Sequence, residues 1–330
     1  MQNVVDFLQK RGFIDAISSD ELQKIVENPI KVYLGFDPTA DSLHIGHLVG
    51  IIALAWFQRF GHTPVVLLGG ATAKIGDPSG RSSERPLLDS STLNHNVASI
   101  RKQFENFLDF SESSESALLV NNDTWLGEYP LIAFLRDIGK HFRLGPMLSK
   151  DSVKTRLNSE EGISFTEFTY QVLQGYDFYY LSKEYDVCLE MGGSDQWGNI
   201  TAGIELTRKL AQKQVFGLTY PLLTKSDGTK FGKSVGGAVW LSPNKTSPYQ
   251  FYQYLIRVSD TEVIQLMRML TFIDTEEIQE YEKKILSGDF VPNMLQKRLA
   301  EEVTRFVHGE EGLRKAIRVT ECAAPGSTAT

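Results

Sequence analysis

Four short apolar runs, each bounded by turn residues, alternate with helix-period segments in the first two thirds of the chain. After the first run, Leu48, Ile51, Ile52 and Ala55 recur at a helical spacing. This alternation is typical of βαβ units and predicts an α/β fold with an open, doubly wound parallel sheet. Ligands of such sheets bind at the carboxyl ends of the strands, so we expect a site there. The runs cover residues 32–36, 65–68, 118–120 and 187–191.

The pattern changes near Ser242, beyond which helical spacings replace the strand-like runs. A chain of 330 residues is long for one domain and suits two. We therefore predict a first domain over residues 1–242, a smaller all-helical domain over 243–320 and a linker-like tail over 321–330. In the second domain, Asp274 followed by Glu277 resembles a capping box and predicts the start of a helix.

The motif His44-Ile45-Gly46-His47 lies between the first apolar run and the helical spacing that follows it. A helix begins with unpaired backbone N–H groups and a positive dipole end, which attract phosphate, and Gly46 lets a flat ring approach the backbone. Two imidazoles add hydrogen-bond donors. Taken alone, a histidine pair at this spacing is equally typical of a helix cap or a surface pair.

The segment Lys230-Phe231-Gly232-Lys233-Ser234 places two ammonium groups on a glycine-containing loop. Lysine is a compact charge on a flexible stem and is suited to following a leaving pyrophosphate. A loop of this kind, taken alone, is usually just solvated. In this order along the chain, and with further polar clusters between them, the two motifs indicate a nucleoside triphosphate site.

A helix predicted over residues 165–181 has two distinct faces. On one face, Tyr170, Gln174 and Asp177 recur at i, i+4 and i+7 and offer a phenol, an amide and a carboxylate. These groups either point into a pocket for a small polar ligand or face water, and the spacing alone does not decide between the two. The other, apolar face carries Phe165, Phe168, Val172 and Tyr176.

Two turns near predicted strand ends carry further polar groups. Asp77, within residues 76–81, is placed to accept from an ammonium group, although Asp-Pro-Ser-Gly is usually only a turn. Gly192 and Gly193 precede Asp195 and Gln196 directly after the fourth apolar run. A plain strand-to-helix connection rarely needs two adjacent glycines, so this turn favours close backbone approach to a ligand.

Composition excludes several classes of function. No apolar stretch is long enough to span a membrane, and the first residues lack a secretory or transit pattern, so we expect a cytoplasmic protein. The two cysteines, Cys188 and Cys322, are too few for a disulfide framework or a cysteine-based zinc site. A net charge of −7 argues against general coating of nucleic acid. A local basic segment remains, either a binding patch or a solvated face, with Lys140, His141, Arg143, Lys150, Lys154 and Arg156, and Arg208 and Lys209 as candidate neighbours.

With these motifs in order, the whole chain closely resembles the bacterial and organellar tyrosyl-tRNA synthetases, which are class I aminoacyl-tRNA synthetases. The resemblance rests on the segments 33–39, 44–47, 76–81, 168–177, 192–200 and 230–234. It implies a Rossmann-like catalytic domain that forms tyrosyl-adenylate and pyrophosphate from tyrosine and ATP and then transfers the tyrosyl group to the 3′ end of tRNA(Tyr). It also implies Mg²⁺ with the ATP, no zinc, and a homodimer formed through an inserted segment at about 125–165. That segment, which would also meet the tRNA acceptor end, includes Leu131, Ile132, Phe134, Leu135, Phe142 and Phe165.

The resemblance also implies a role for each matching residue. The phenol of the substrate tyrosine would meet Tyr33 and Asp177. The ammonium group of the substrate would meet Tyr170, Gln174, Asp77 and Asp37, and its carboxylate would meet Gln196. Catalysis would use His44 and His47 on the ATP phosphates, Lys230 and Lys233 on the leaving pyrophosphate, and Arg81 and Arg85 as further cations. Asp195 would lie towards the adenylate ribose. The remaining ATP-side residues would be Gly35, Thr39, Gly46, Gly193, Phe231, Gly232 and Ser234.

Three departures from the family pattern stand out. Gly50 replaces a β-branched or small polar residue near the ribose, and Glu190 stands where some members carry an uncharged residue. The family usually continues into a small C-terminal RNA-binding domain, whereas this sequence stops in the linker, so we expect near-normal adenylate formation with weak, salt-sensitive tRNA charging. Two alternatives stay open: a tryptophanyl-tRNA synthetase, and a catalytically silent RNA-binding protein descended from a synthetase.

Overall fold

The computed structural model of the protein describes residues 3–324 and divides the chain into two units. The first unit comprises residues up to Leu8, Ile14–Asp41 and Leu54–Leu222. The second comprises Gln9–Phe13, Ser42–Ala53 and the chain from Leu223 onwards. This division differs from a single boundary at residue 242, because two early segments and residues 223–242 pack with the helical part of the chain.

A six-stranded sheet forms the centre of the first unit, with strand order β1-β6-β5-β2-β3-β4. Strands β2 to β6 run parallel where they pair, and only the two-residue β1 is antiparallel, to β6. The predicted parallel α/β sheet is therefore confirmed, while β1 and β6 carry no clear apolar run and were not predicted. The strands are β1 Ala16–Ile17, β2 Lys31–Phe36, β3 Thr63–Leu68, β4 Leu118–Asn121, β5 Val187–Gly193 and β6 Phe216–Tyr220.

Helices pack against the sheet. One of them, α10 Tyr170–Tyr185, has buried residues on both its polar and its apolar face. The predicted helix over 165–181 is in fact two helices broken at Thr169, which leaves Phe165 76% exposed, off the buried apolar face. The helices of the first unit are α2 Leu22–Ile25, α4 Ser90–Phe104, α5 Asp123–Leu126, α6 Leu131–Asp137, α7 Leu144–Ser149, α8 Asp151–Leu157, α9 Phe165–Phe168, α10 Tyr170–Tyr185 and α11 Trp197–Ala211; α1 Val4–Lys10 and α3 Ile45–Arg59 contribute to both units.

The second unit is helical apart from a two-stranded sheet, β7 Lys233–Ser234 with β8 Gly237–Ala238. Ser247 and Ser259 cap two of its helices through capping boxes with Gln250 and Glu262. Asp274 precedes a helix as predicted, but its side chain makes no capping hydrogen bond. The last helix runs to Ala323 through a non-helical Gly309, so the predicted tail starts inside it, and residues 325–330 lie outside the described chain. These helices are α12 Pro248–Ile256, α13 Asp260–Leu270, α14 Thr275–Ser287 and α15 Met294–Ala323.

A buried arginine ties the N-terminal segment into the second unit. Arg11 is fully buried, and its guanidinium donates to four backbone carbonyls at the end of α13 and just beyond it. Carbonyls at a helix C-terminus lack partners within the helix, and a cation there also meets the negative end of the helix dipole. Arg11 therefore completes the hydrogen bonding of α13 from the far end of the sequence. The acceptors are Met267, Arg268, Thr271 and Ile273.

Candidate active site

Polar side chains of the first unit gather where the parallel strands end. Asp37 follows β2, Thr72 follows β3, Asn122 follows β4 and Gln196 follows β5. Hydrogen bonds join Asp37, Thr72, Asn122 and Asp177 of α10 into one group. Gln196 bonds Asp77 in a second group, and the charge of Asp77 acts on Asp37. The edge of the sheet expected to hold a ligand thus carries a polar cluster.

The three polar residues of α10 point into this cluster. The hydroxyl of Tyr170 donates to Oδ2 of Asp37 at 2.8 Å, and Nε2 of Gln174 donates to Oε1 of Glu190 at 2.7 Å. Asp177 is 1% exposed. The structure therefore brings Tyr170, Gln174 and Asp177 together on one buried face, and they do not face water.

Asp177 is held by two neutral N–H donors. Trp125 donates from its indole Nε1 to Oδ1 at 2.8 Å, and Asn122 donates from Nδ2 to Oδ2 at 3.0 Å. Burial raises the pKa of Asp177 to about 7, while both hydrogen bonds oppose that rise. Both oxygens of Asp177 therefore act as acceptors, and each keeps a lone pair that is able to accept a donor from a ligand.

Asp37 is the second buried acid of the cluster. Besides Tyr170, it accepts from the hydroxyl of Thr72 at 2.7 Å, and burial raises its pKa to about 6. Gly69 makes this packing possible, because a Cβ at that position would lie 1.9 Å from Oδ1 of Asp37. No other residue type fits at position 69 without moving the carboxylate.

Asp77 joins the cluster from the turn after β3. Its Oδ1 accepts from the backbone N–H of Ser79 at 2.9 Å and its Oδ2 from Nε2 of Gln196 at 2.9 Å. Arg85 donates from Nε to the backbone carbonyl of Asp77 at 3.2 Å. Asn199 bonds both Ser79 and Gln196 and so fixes the orientation of the Gln196 amide. The predicted turn is therefore part of the cluster.

Tyr33 and Glu190 form the deepest part of the cluster. They are register partners on the adjacent strands β2 and β5, and they are 0% and 2% exposed. Among residues 3–324, neither the Tyr33 hydroxyl nor Oε2 of Glu190 reaches a partner in good hydrogen-bond geometry. Burial and the charges of Glu190 and Asp177 raise the pKa of Tyr33 well above its usual value, so its hydroxyl keeps its proton.

The two motif histidines lie in the second unit with stacked rings, 3.8 Å between centroids. Nδ1 of His47 accepts from the backbone N–H of His44, and Nδ1 of His44 accepts from that of Gly46, both at 3.1 Å. A neutral imidazole that accepts at Nδ1 carries its proton on Nε2. Burial and the charge of Lys233 lower the pKa of His44 to about 4, so its ring is neutral at pH 7 and presents an Nε2–H donor.

The chain a few residues after the lysine loop pairs with the histidine motif. The backbone of Ile45 donates to Val239 and that of Leu241 to Leu43, both at 2.9 Å, so segments 43–45 and 239–241 run antiparallel. Gly232 has a φ of 98°, a conformation that favours glycine, and its N–H donates to the hydroxyl of Tyr254 of α12 at 2.8 Å. The ammonium-bearing residues Lys230 and Lys233 are exposed.

The remaining predicted residues lie near strand ends or on the loop. Gly35 lies in β2 and Thr39 just after it, both exposed; Gly193 ends β5, and Asp195 follows it half-buried. Phe231 is 8% exposed and packs against Tyr254, while Ser234 is exposed in β7. Arg81 is exposed beside Arg85, and Gly50 is buried within α3.

Several members of the cluster were not predicted from the sequence. Thr72, Asn122, Trp125, Ser79 and Asn199 all bond a predicted site residue. The available signal was position, since Asn122 lies two residues after the apolar run 118–120 and therefore near the ligand edge of the sheet. Trp125 carried no such signal.

The basic segment is smaller than its sequence indicates. Arg156 is fully buried in an ion pair with Glu167, 2.6 Å from Nη1 to Oε2, so its inclusion in an exposed patch was wrong. Lys150 is half-buried, and its Nζ donates to the backbone carbonyl of Gly198 and to the hydroxyl of Thr201. Lys209 does lie beside His141, to whose carbonyl it donates at 2.9 Å.

Within residues 3–324, no three His, Cys, Asp or Glu side chains are arranged to bind a metal ion. No helix in that range combines the length and apolar character needed to cross a bilayer. Neither Cys188 nor Cys322 forms a disulfide in the described part of the chain, and burial raises the pKa of Cys188 to about 11.

Comparisons with known proteins agree with the geometry. The family model for tRNA synthetases class I (W and Y) matches residues 25–323. The tyrosine–tRNA ligase of Protochlamydia amoebophila is 62% identical over 327 residues, which cover 99% of this chain and 77% of that protein. The Escherichia coli enzyme is 53% identical over 328 residues, which cover 98% of this chain and 77% of that protein. The structure of a C-terminally truncated Aspergillus nidulans mitochondrial tyrosyl-tRNA synthetase is 31% identical, with a TM-score of 0.85 over 97% of this chain and 94% of that one.

The chain belongs to the class I tRNA synthetases of the tryptophan and tyrosine group. Tryptophanyl-tRNA synthetases are more distant, at 13% identity for the Encephalitozoon cuniculi structure, which supports the fold alone. Within the group the activity is that of a tyrosine–tRNA ligase: the chain joins tyrosine to its tRNA at the expense of ATP.

Proposed function

We propose that the polar cluster of the first unit is the tyrosine site, with the phenol bonded to Tyr33 and Asp177. The proposal depends on one observation: a buried acceptor, the Asp177 carboxyl group, accompanies the buried Tyr33 hydroxyl, which within residues 3–324 has no partner in good hydrogen-bond geometry. A phenol both donates and accepts, so it completes both groups at once. An indole N–H only donates and would leave Tyr33 unsatisfied, which favours tyrosine over tryptophan.

The other end of the substrate meets the remaining acids. Its ammonium binds Asp77, Tyr170 and Gln174, with Asp37 adding negative charge, and its carboxylate binds the amide of Gln196. The hydrogen bonds of Asp77 to Ser79 and Gln196 support this assignment, because they orient its carboxylate before any ligand arrives.

The histidines and lysines of the second unit bind the triphosphate of ATP, which enters with Mg²⁺ held largely by phosphate and water. The Nε2–H groups of His44 and His47 donate to phosphate oxygens, and Lys230 and Lys233 follow the pyrophosphate, with Arg81 and Arg85 as further cations. Asp195 binds the ribose. Gly46, Phe231, Gly232 and Ser234 of the second unit contact the nucleotide as well.

Each step then needs positioning and charge stabilisation only. A carboxylate oxygen of tyrosine attacks the α-phosphorus, the bond to the β-phosphate bridging oxygen breaks, and pyrophosphate leaves. A 3′-terminal hydroxyl of the tRNA next attacks the acyl carbon, the bond from that carbon to the phosphate oxygen breaks, and AMP leaves with the hydroxyl proton passing to its phosphate. Neutral imidazole donors suit this chemistry, because they bond the extra negative charge of five-coordinate phosphorus without needing to lose a proton.

Replacing Tyr33 by phenylalanine tests the phenol assignment. We expect Tyr33→Phe to lower the preference for tyrosine over phenylalanine by about 3- to 10-fold, the value of one neutral hydrogen bond, with the fold retained. The ratio of tyrosine- to phenylalanine-dependent ATP–pyrophosphate exchange rates measures it. Tyr185→Phe, the same change at the end of α10, is the control. An unchanged ratio would place phenol recognition elsewhere, and no exchange in the parent chain would indicate a catalytically silent protein.

We also propose a homodimer through the first unit. Segment 131–165 exposes an unusual set of large apolar side chains, and exposed apolar surface of this extent is typical of interfaces. Exposed fractions there are 69% for Leu131, 74% for Ile132, 50% for Leu135, 65% for Leu144 and 76% for Phe165.

Sedimentation equilibrium at micromolar concentration is expected to give about 74 kDa, twice the chain mass of 37.0 kDa. Ile132→Asp should return the chain to the monomer mass, because a charge at the centre of an apolar contact is costly to bury. Leu286→Asp, at a position 83% exposed on α14, is the matched control. A parent chain that sediments only as a monomer would contradict the proposal.

We further propose that tRNA(Tyr) binds through two regions. The exposed part of the basic segment, with Lys154, Arg143 and Lys209, meets the acceptor end, and the helices over 243–320 meet the anticodon stem. These two tRNA-binding regions are supported by the local cluster of basic residues on a chain of net charge −7.

We also propose that the reaction takes place in the cytoplasm.

A further inference from the structure

Glu190 lies in the tyrosine cluster without a role in the assignments above. It pairs in register with Tyr33 of β2 on one side and with Gly217 of β6 on the other. Side chains of register partners on neighbouring strands point to the same face, so the Glu190 carboxyl and the Tyr33 ring lie side by side. Gln174 donates to Oε1 of Glu190, which leaves Oε2 and the Tyr33 hydroxyl as two buried polar atoms with no other partner within residues 3–324.

Two neighbouring buried acids cannot both carry a charge cheaply, and the hydrogen bonds indicate which one is neutral. Asp177 accepts an N–H donor at each oxygen, as a carboxylate requires. Glu190 accepts one donor and has one oxygen without any. A proton on Oε2 turns that oxygen into a donor and satisfies it against Tyr33.

We propose that Glu190 is a positioning residue that acts as a neutral acid, accepting from Gln174 at Oε1 and donating from Oε2 to the oxygen of Tyr33. With its oxygen occupied as an acceptor, Tyr33 directs its own proton to the phenol oxygen of the substrate, and the substrate donates in turn to Asp177. This inference rests on the proposed contact of the phenol with Tyr33 and Asp177.

Ionised Glu190 has the opposite effect. A carboxylate has no proton to give, so it takes the Tyr33 hydroxyl as its own donor and leaves the substrate oxygen without one. The ionised form also adds a second negative charge beside Asp177. We therefore expect the protonated form alone to bind tyrosine well.

Burial raises the pKa of Glu190 to about 8, while the hydrogen bond from Gln174 and the neighbouring Tyr33 hydroxyl oppose that rise and the charge of Asp177 adds to it. The groups that face it are Tyr33 from β2 and Gln174 and Asp177 from α10, while Gly217 of β6 contributes no side chain. Glu190 is thus protonated at pH 7 and loses its proton near pH 8. Since the apparent dissociation constant is the intrinsic one divided by the protonated fraction, affinity for tyrosine falls about tenfold between pH 7 and pH 9 from this group alone.

Glu190→Gln provides the test, because a glutamine amide accepts at its oxygen and donates from its nitrogen at every pH. Equilibrium binding of L-tyrosine is measured from pH 6.5 to 9.5 for the parent chain and the variant. Titration of the ligand's own amino group is common to both, so the ratio of the two dissociation constants isolates Glu190. We expect the dissociation constant of the parent chain divided by that of the variant to be near one at pH 7 and to rise by about tenfold by pH 9.

A ratio that stays constant across this range would overturn the proposal, and so would a variant that binds much more weakly than the parent at pH 7, because Glu190 would then be needed as an anion. Asp177→Asn separates the inference from the assignment on which it rests. If Asp177→Asn leaves tyrosine affinity unchanged, the phenol assignment itself fails. If Asp177→Asn weakens binding while the Glu190 ratio is flat, only the role of Glu190 fails.

Discussion

His44→Ala is expected to slow tyrosyl-adenylate formation by about 100- to 1,000-fold while changing the tyrosine KM by no more than about twofold. The reason is the neutral Nε2–H of His44, which the bond from Gly46 to Nδ1 orients and which we propose donates to phosphate. The hydrogen bond from such a donor strengthens as negative charge builds on the α-phosphate. Its loss therefore raises the free energy of the transition state more than that of the bound substrates. Rapid-quench measurement of a single round of adenylate formation gives the rate directly.

His95→Ala is the matched control, because His95 is exposed on α4 and its Nε2 lies a loose 3.7 Å from the carboxylate of Asp41. It should leave both parameters unchanged. A His44→Ala effect confined to the tyrosine KM would remove His44 from catalysis. The pH profile offers a second check, because a ring with a pKa of about 4 stays neutral above pH 5, and the His44-dependent rate should not vary from pH 6 to 8.

Glu167→Gln is expected to lower the free energy of unfolding by about 3–5 kcal/mol, the usual cost of removing one partner from a buried ion pair. Arg156 and Glu167 are 0% and 3% exposed, and the variant leaves the guanidinium buried without a counter-charge. Glu167 also accepts from the backbone N–H of Arg85 at 3.0 Å, so the change loosens the segment that carries Asp77. Urea unfolding followed by tryptophan fluorescence measures the loss.

Glu282→Gln is the control for this prediction. Its carboxylate bonds Arg268 at the same 2.6 Å, but Glu282 is 43% exposed, and solvent screens the charge that the change leaves behind. We expect a loss of no more than about 1 kcal/mol there. Equal losses for the two variants would mean that burial of the Arg156–Glu167 pair is not what stabilises the first unit.

Periodicity predicted what depends on local spacing. The four apolar runs are four of the parallel strands, and the i, i+4, i+7 spacing brought Tyr170, Gln174 and Asp177 to one face of α10. It could not predict the break at Thr169, whose hydroxyl donates to the backbone carbonyl of Thr166 between the two helices. The two unpredicted strands are short or interrupted by glycine and are ordered by their neighbours in the sheet.

Partners distant in sequence account for the other differences. Asn122 and Trp125 meet Asp177 across more than fifty positions, and no local pattern encodes that encounter. Arg156 was grouped with its basic neighbours because charge runs record composition, whereas its burial depends on Glu167 and the turn of α8 that carries it inwards. In the sequence, Glu190 was notable only as a departure from the family pattern. Its neighbours Tyr33 and Gln174 are brought to it by the register of β2 with β5 and by the face of α10, which no local pattern predicts.

The bonds of Arg11 have a consequence for how the chain is made. Its acceptors lie 256 to 262 positions further along, so at about 5–20 residues per second the ribosome delivers them on the order of 10–50 s after Arg11 itself. Until then α13 does not exist, and the guanidinium stays hydrated. We expect the second unit to fold only after residue 273 has left the ribosome, and nascent chains stalled before that point to keep residues 9–13 open to protease.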